Sequence, residues 1–531
     1  MNARVLLPVF LFIVSLGVPG RCPASEDGAE AFFEGGQIPI IEIRLAEGAA
    51  NQLRDDPRSY VPCTLTIDAD TVLEDVAVKL KGSAGSFQGL DEKPGFTINM
   101  DRFSPGARFH GLDKFHLNNA AQDPTLLSEW LGAYLFSTAG IPAARITHAR
   151  VLLDDRDLGL YVFKEAIDRD FLERHFDDAE GNLYDGGTAV DLDELVERDE
   201  GKRGVPGADL KRLVAACRAE DPAERQAGIE TCLDVPDFLR FMALELMAGH
   251  WDGYTTAHNN YRVYVDPAGS GRIRFLPHGM DQLLGDPNAP ILETPPTIVA
   301  AAVMGVPEWR SAFRDRIREL LPLFDAEKAI LPQLDSVAER LRPVVGATGT
   351  EALEAWEGAL ADLRARIVAR DACLREQAEA PEPEPIQFDG ARRSGLAGWA
   401  PRIDRGEAHL EETTGDDGRR VLRIAVTGVP PVIASWRVTV PLPPGRYRFE
   451  GLAFAEGIEA TTDETGTGAG VRISGGQRSA AADRQGEWTP LWYEFVLETA
   501  ATVELVAELR ATAGSVSFNA DSLALLRLSA P

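Results

Sequence analysis

The segment GHWDGYTTAHNNYRVYVDPAGSGRIRFLPHGMDQLLGD, Gly249 to Asp286, gathers Asp252, His258, Asn259, Asn260, His278 and Asp281 around two short apolar runs. Asp252 follows an apolar helical pattern and is of the type that accepts a proton from an attacking hydroxyl. Asn260 offers a hard neutral oxygen, which suits Mg2+ beside a carboxylate. YRVYVD and GRIRFLP read as the two strands of a hairpin that would bring Asn260 near Asp281. Phosphoryl transfer from a nucleotide needs such a set: one hydroxyl-orienting group and two metal ligands. Helix capping by Asp252 and turn chemistry at the Asn and Asp positions account for the same residues without any activity.

The elements that must hold this segment change character along the chain. IPIIEIRL, VPCTLTIDADTVLEDVAVKLKG and PGFTINMDRF read as strands. TLLSEWLGAYLFSTAG has helical periodicity and ends at Gly140 and Pro142, and ARITHARVLLDDRDLGLYVFKEAI reads as a hairpin turning at DDRD. From about Asp168 onward, three-to-four spacing dominates in DFLERHF, LKRLVAACRAE, VPDFLRFMALELMAGH, EWRSAFRDRIRELLPLF and the segments that follow. AEAPEPEPIQ then marks an extended linker, placed at residues 376–385. Beyond it, short alternating runs such as ASWRVTVPL, LWYEFVLET and TVELVAELRA predict an all-β sandwich over residues 386–531.

The chain has 531 residues, too many for one core, so several domains are expected. Its net charge of −29 repels nucleic acid and anionic membrane surfaces and excludes both as bulk partners. An anionic nucleotide would need local Lys and Arg or a divalent metal to overcome that field. MNARVLLPVFLFIVSLGVPGRCPA, residues 1–24, reads as an export signal: one Arg, an apolar run, then small residues. No later run is long and apolar enough to span a bilayer. Export permits disulfides among Cys63, Cys217, Cys232 and Cys373. Cys217 and Cys232 are close enough in sequence to staple two helices, and free thiols remain the alternative. There is no Walker A loop, no H-E-x-x-H and no G-x-S-x-G.

Four ordered segments between Ile38 and Arg370 resemble the CotH kinase family, atypical protein kinases related to bacterial spore-coat protein H. They are VKLKGSAGSF…KPGFTINMD, FHLNNAAQDPTLLSEWLGAYLFSTAGIPAAR, LGLYVFKEAIDRDFLERHF…GNLYDGG and the Gly249–Asp286 segment. The resemblance implies an α+β fold with an atypical protein-kinase-like two-lobe domain over residues 37–375. Its strand-rich lobe would run to about residue 167, with a helical lobe after it, and the sandwich would follow. It also implies ATP and Mg2+ (or Mn2+) as cofactors, and Ser or Thr of a secreted or cell-surface protein as acceptor.

By that resemblance Asp252 is the catalytic Asp and Asn260 a metal ligand. Lys81 or Lys93 contacts the phosphates, and Glu165 orients the lysine. The order Lys, Glu, Asp, Asn, Asp matches the order of roles in ordinary kinases. Lys79, Lys81 and Lys93 are equally accounted for as exposed strand lysines, and Glu165 as an edge-strand carboxylate. LPHGMDQLLG departs from the family, which has Pro-Trp-Asp-x-Asp at this point. Here Gly279 stands at the first Asp, His278 at the Trp, and Asp281 at the second acid, which becomes the second expected metal ligand. Imidazole is a poor substitute ligand for Mg2+, so Asp281 takes over the metal or activity is lost.

Three readings follow. The first is an exported protein kinase, found in the periplasm, at the cell surface or outside the cell. The second is a catalytically impaired kinase-like scaffold of a surface or coat assembly. The third is a glycan-binding protein acting through the sandwich, which resembles carbohydrate-binding modules. Its Trp399, Trp436, Trp488, Trp492 and Tyr493 are candidates to stack on sugars or to fill the core.

Overall fold

The computed structural model describes residues 29–30, 32–33, 36–194, 197–380, 386–414, 418–428, 430–459, 468–477, 485–497 and 501–529. The export signal read over residues 1–24 and the Pro/Glu run 381–385 lie outside the described residues.

Among the described residues, seven strands close into a barrel. They are β1 (Ile40–Leu45), β2 (Val61–Ile67), β3 (Thr71–Lys81), β4 (Gly95–Asn99), β5 (Lys114–Asn118), β6 (Ile146–Leu153) and β7 (Arg156–Glu165). The order is β1-β2-β3-β4-β5-β7-β6, and β1 pairs parallel with β6 to close the ring. Alternation sends every second side chain inward. Val76, Val78 and Leu80 of β3, Phe115 and Leu117 of β5, and Tyr161 and Phe163 of β7 fill the interior. Their neighbours Lys79, Lys81, His116, Asn118, Val162 and Lys164 therefore face out of the barrel. The strand-rich part predicted from the sequence is thus a closed barrel. β5, with its KFHLN pattern, is a strand that the sequence reading left out.

After β7 the chain becomes mainly helical, as expected. The helix Val235–Met247 lies at the centre of the larger core with Ser128–Thr138, Pro307–Leu320, Leu331–Gly346 and Thr350–Glu379. A second sheet is added by β8 (Asn182–Asp185), β9 (Glu197–Glu200), β10 (Tyr261–Asp266) and β11 (Arg272–Pro277), in the order β11-β10-β8-β9. The β10–β11 hairpin pairs Tyr261 with Pro277, as its alternating pattern predicts. Thr350–Glu379 stays helical past Gln377, so residues 376–379 of the expected linker belong to the helix. The described cysteines, Cys63, Cys217, Cys232 and Cys373, are free thiols, and Cys217 and Cys232 close two successive helices without a bond between them.

The C-terminal part is a sandwich. Among the described residues, a seven-stranded and a four-stranded sheet enclose one core. Trp436 is buried there, and Trp399 stacks on Phe449 with ring centroids 6.0 Å apart. β19 (Trp488–Leu497) turns Leu491, Tyr493 and Phe495 inward and leaves Trp488 and Trp492 on its outer side. No helix among the described residues is long and apolar enough to cross a membrane.

One buried cation fixes the end of the central helix. Arg370, 1 % exposed, donates to the carbonyls of Leu246 (2.7 Å) and Met247 (3.0 Å) and to those of Pro287 (3.0 Å) and Ala289 (2.6 Å). A guanidinium at a helix C-terminus also complements its partial negative charge. Arg370→Met keeps the volume but removes a donor from four carbonyls, of which Leu246 O keeps Gly249 N and Ala289 O keeps Gln377 Nε2. It is expected to cost about 2–4 kcal/mol. Urea unfolding of the variant against the parent chain measures this, and a loss near zero would show that water replaces the clamp.

Candidate functional site

The outward face of the barrel carries the first half of the site. Lys81 ends β3 and crosses over Gly95, where any Cβ would press on its Cγ at 3.1 Å. Its Nζ thereby reaches Asn118 Oδ1 at 2.6 Å. Asn118 in turn donates to Glu129, and Lys164 of β7 makes an ion pair with the same carboxylate. Glu129 belongs to the first turn of the helix Ser128–Thr138 and is 2 % exposed, as is Lys164. Strands β3, β5 and β7 and one helix are therefore joined by the chain Lys81–Asn118–Glu129–Lys164. His116 lies between Thr97 of β4 and Lys164 in register, and its Nδ1 is 3.1 Å from Thr97 Oγ1.

Lys81, Asn118 and Glu129 line a cavity together with Gly82, Ser86, Asn119, Asp123 and Asp281. Its rim is the Gly82–Phe87 turn, in which Ser83 O accepts from Ser86 N (3.1 Å) and Phe87 N (2.9 Å). Gly82 has φ +116° and sits so close to Phe87 that a Cβ would meet its Cα at 2.8 Å. The KGS turn thus requires glycine.

The charges in the cavity shape one another. Burial, with Lys164 adding repulsion, lowers the Lys81 ammonium to about 8, although Glu129 and Asp281 support it. Burial alone would raise Glu129, but Lys164 and Lys81 outweigh it and hold the carboxyl below its ordinary value. Burial and then Glu129 push Asp281 up to about 6. Burial and the cations Lys164, Arg262 and Lys81 hold His278 well below the ordinary imidazole range. Lys81, with Lys164 close by, thus faces three acids, Asp123, Glu129 and Asp281, and burial raises Asp123 and Asp281 above their ordinary values.

The second half of the site is the loop after Val235–Met247. Gly249, at φ +60°, reverses the chain, and His250 and Asp252 follow. The His250 Nε2 donates to Gly279 O at 3.2 Å, and its Nδ1 lies 3.6 Å from Glu245 Oε1. Glu245, fully buried, accepts from Tyr254 N (3.1 Å) and Thr255 N (2.8 Å). Asp252 Oδ1 accepts from Asn259 Nδ2 (3.0 Å), and Oδ2 accepts from Asn260 Nδ2 (2.7 Å). The amide of Asn260 is thus turned so that its Oδ1 faces Gly279.

Gly279 has φ +55°, and a Cβ built on it would collide with Asn260 Oδ1. The hairpin continues past its strands, His278 N donating to Asn260 O at 3.1 Å. It therefore sets Asn260 against His278 and Gly279, where the sequence pattern suggested Asp281. Asp281 lies two residues further on, in the cavity with Lys81. Met280 between them packs on Gly132, where a Cβ would meet its Sδ at 2.6 Å.

The structure places the remaining candidates elsewhere. Glu165 follows Lys164 and faces the opposite side of β7, where it binds Arg145 (3.0 Å) and Arg174 (2.6 Å). Lys93 lies over the Tyr161 ring at 5.0 Å and lines a separate hollow with Gly159, Leu160 and Trp356. Lys79 lies over the Tyr60 ring at 4.8 Å. The acid beside Lys81 is Glu129, and the second lysine is Lys164. Neither was singled out from the sequence, although Glu129 is a lone acid in an otherwise apolar helical run. His250 was also missed, and its signal was the H-x-D spacing to Asp252.

Residues 78–370 match the family described as CotH kinase protein. The invasin CotH2 of Rhizopus delemar is 25% identical over 275 residues, 48% of this chain and 46% of that protein. The inner spore coat protein H of Bacillus subtilis is 22% identical over 339 residues, 58% of this chain and 88% of that protein. The chain spans half or less of the length of the Rhizopus relatives. Among solved structures, a CBM4 module aligns at 17% identity and TM-score 0.18, over 27% of this chain and 93% of that one. The CBM22-1 xylan-binding domain of Paenibacillus barcinonensis Xyn10C aligns at 14% identity and TM-score 0.19, over 29% and 100%. Likenesses at those TM-scores carry no argument here.

Two outcomes are expected. Gly279→Ala adds a Cβ to a left-handed residue pressed on Asn260 and should cost about 1–3 kcal/mol in urea unfolding. The fold disfavours the Asp281 carboxylate, which it raises from 3.8 to about 6. The penalty is absent while the group is protonated and grows as pH rises through that range. Without divalent cations, Asp281→Asn should therefore melt no higher than the parent chain at pH 4 and higher above pH 7. Melting curves across that range check this, and a difference independent of pH would show that the carboxylate is not disfavoured.

Proposed function

The chain belongs to the CotH kinase protein family, and on that premise we propose that it transfers the γ-phosphoryl group of ATP to Ser or Thr hydroxyls of exported proteins. The observation that carries this reading is the juncture of two halves at the His278–Asp281 turn. On one side lies the Lys81–Asn118–Glu129–Lys164 recess, and on the other the His250–Asp252 loop with Asn260. In protein kinases a lysine paired with a helix glutamate holds phosphates, while an H-x-D loop presents the base. The barrel would then serve as the nucleotide lobe and the helical part as the acceptor lobe of a two-lobe kinase.

The donor set fits one divalent cation. Asp281 offers a carboxylate in the recess, and Asn260 Oδ1 faces Gly279, where the family's first acid would stand. Both are the hard oxygens that Mg2+ takes. Lys81, Lys164 and the Gly82–Ser86 turn would hold the phosphates of ATP, and with Mg2+ the nucleotide would supply the phosphoryl group and its charge neutralisation. Asp252 would accept the proton of the acceptor hydroxyl at a carboxylate oxygen, held in place by the amides of Asn259 and Asn260. His250 fixes the carbonyl of Gly279 and so the direction of the turn to Asp281.

Surface location fits this reading, since the relatives carry the names invasin and spore coat protein. A scaffold without activity is the outcome if the single acid cannot hold the metal. A separate observation favours glycan binding by the sandwich. Trp488 and Trp492 stand four residues apart on the outer side of β19, roughly 13 Å along a strand. Arg419 lies over the first ring at 5.6 Å and Arg448 over the second at 5.3 Å.

Purified protein with labelled ATP and Mg2+ should label itself or an added acceptor protein. Lys81→Met, Asp252→Asn and Asp281→Asn should each lose at least about a hundredfold. Absence of label together with no ATP-induced rise in melting temperature would reject the kinase reading. On a glycan array the full chain should bind through Trp492, and a Trp492→Ala variant with unchanged binding would reject the second reading.

A further inference from the structure

A second cluster of ionisable groups lies away from the recess, at the start of β5. Asp113 immediately precedes β5, Asp168 caps the helix Arg169–His175 that follows β7, and Asp170 sits in its first turn. One carboxylate oxygen from each lies within 4.8 Å of the other two. Oxygens facing one another across a Ca2+ ion lie roughly 5 Å apart, so all three fit one coordination sphere. Ca2+ accepts several carboxylates in flexible geometry, whereas Mg2+ demands a near-ideal octahedron and keeps most of its waters.

Carboxylates crowded in this way repel, and here they do so without water. Asp168 is 5 % exposed. Its Oδ1 accepts from Asp170 N (3.1 Å) and Phe171 N (3.4 Å), which accounts for its capping role. Its Oδ2 is buried, and no hydrogen bond among the described residues reaches it. The same holds for Asp113 Oδ1. Asp170 Oδ2 accepts from Asp113 N at 3.1 Å. Two orphaned carboxylate oxygens thus converge beside a third acid, and a buried oxygen without a partner is costly.

The neighbouring cations do not settle this charge. Arg108 lies 3.3 Å from Asp170 through Nε but also reaches Asp101 through Nη1 at 3.6 Å. Lys114 feels Asp168 and Asp113, and also Tyr60 and Glu200. Burial and then the facing Asp113 push the Asp168 carboxyl well above its ordinary value. A proton shared between Asp113 and Asp168 is the competing way to relieve the crowding.

We propose that Asp113, Asp168 and Asp170 form a calcium-binding site that ties the entry of β5 to the turn after β7. Those two strands carry His116, Asn118 and Lys164, so the ion would brace the recess from behind without touching it. The inference does not depend on the kinase reading.

The test uses the full chain stripped with EDTA, without nucleotide, at pH 7.5. Calcium alone should raise the melting temperature saturably by about 3–8 °C at millimolar concentration and give a binding isotherm by calorimetry. Asp113→Asn and Asp168→Asn should lose both signals, and Asn still caps a helix, so both variants should fold. Asp281→Asn should keep both, which separates this site from the recess. No saturable rise in the parent chain, an equal rise with Mg2+, or loss of the signal only in Asp281→Asn would overturn the proposal. An EDTA-treated Asp168→Asn as stable as the calcium-loaded parent, with no heat of binding in the parent, would assign the crowding to a shared proton.

Discussion

A carboxylate cannot be buried without a partner, and Glu129 has the recess built around it. Removing one charge from water costs several kcal/mol even after relaxation, and pairing recovers that cost only when geometry and hydrogen bonds are complete. Glu129 meets Lys164 directly and Lys81 through the amide of Asn118. Each partner comes from a different strand, so the carboxylate can be satisfied only when β3, β5 and β7 are in register against the helix. Assembly of the barrel wall and assembly of the recess are one event. In the same arrangement burial and then the cations Lys164, Arg262 and Lys81 hold His278 well below the ordinary imidazole range.

The turn at Gly279 shows how the backbone has taken over a place where the family carries an acid. Left-handed φ and the nearness of Asn260 Oδ1 both exclude a side chain there. Restoring an acid by substitution would therefore displace Asn260, whose amide orients Asp252. Around this glycine the loop is fixed by main-chain contacts. His250 binds its carbonyl, His278 N binds Asn260 O, and Met280 is seated on Gly132. Arg370 holds the end of the helix that feeds the loop. The carboxylate left to meet a cation is Asp281, displaced by two residues toward the lysines. Burial at that position, and then Glu129 in the same recess, raise its carboxyl to about 6.

Much of this was legible in the sequence where one side of an element is apolar. The β6–β7 and β10–β11 hairpins and the long helices follow their periodicity. Asp252 and Asn260 stand together as their motif suggests. The misplacements occur where both sides of an element are buried. In β7, Leu160 and Val162 pack outside the barrel while Tyr161 and Phe163 fill it, so both rows are apolar. Nothing in LGLYVFKEAI then says which of Lys164 and Glu165 faces the recess, and the reading chose Glu165. Lys93 was drawn in by its place in a motif, yet it precedes β4 and turns to Tyr161. β5 was missed because five residues running on into Asn119 look like a loop, although the polar residues at every second position are what make it a wall of the site. The acidic cluster at Asp113, Asp168 and Asp170 joins residues more than fifty apart, which no local pattern reveals.

A net charge of −29 opposes the approach of a nucleotide. Its effect depends on distance. At physiological ionic strength exposed charges are screened over roughly 8 Å, so the acidic surface acts weakly inside a recess. Buried cations are screened less, and the low polarity around Lys81 and Lys164 strengthens their field. Burial, and after it repulsion from Lys164, lowers Lys81 to about 8, so an entering anion would support its charge. On the proposed reading the acidic shell would act on other molecules: it would repel polyanions, while a small anion paired with a divalent cation would carry too little charge to be excluded. A nucleotide would then meet Lys81 deep in the recess and bring its divalent cation to Asp281, while the acidic surface would hold larger anions off.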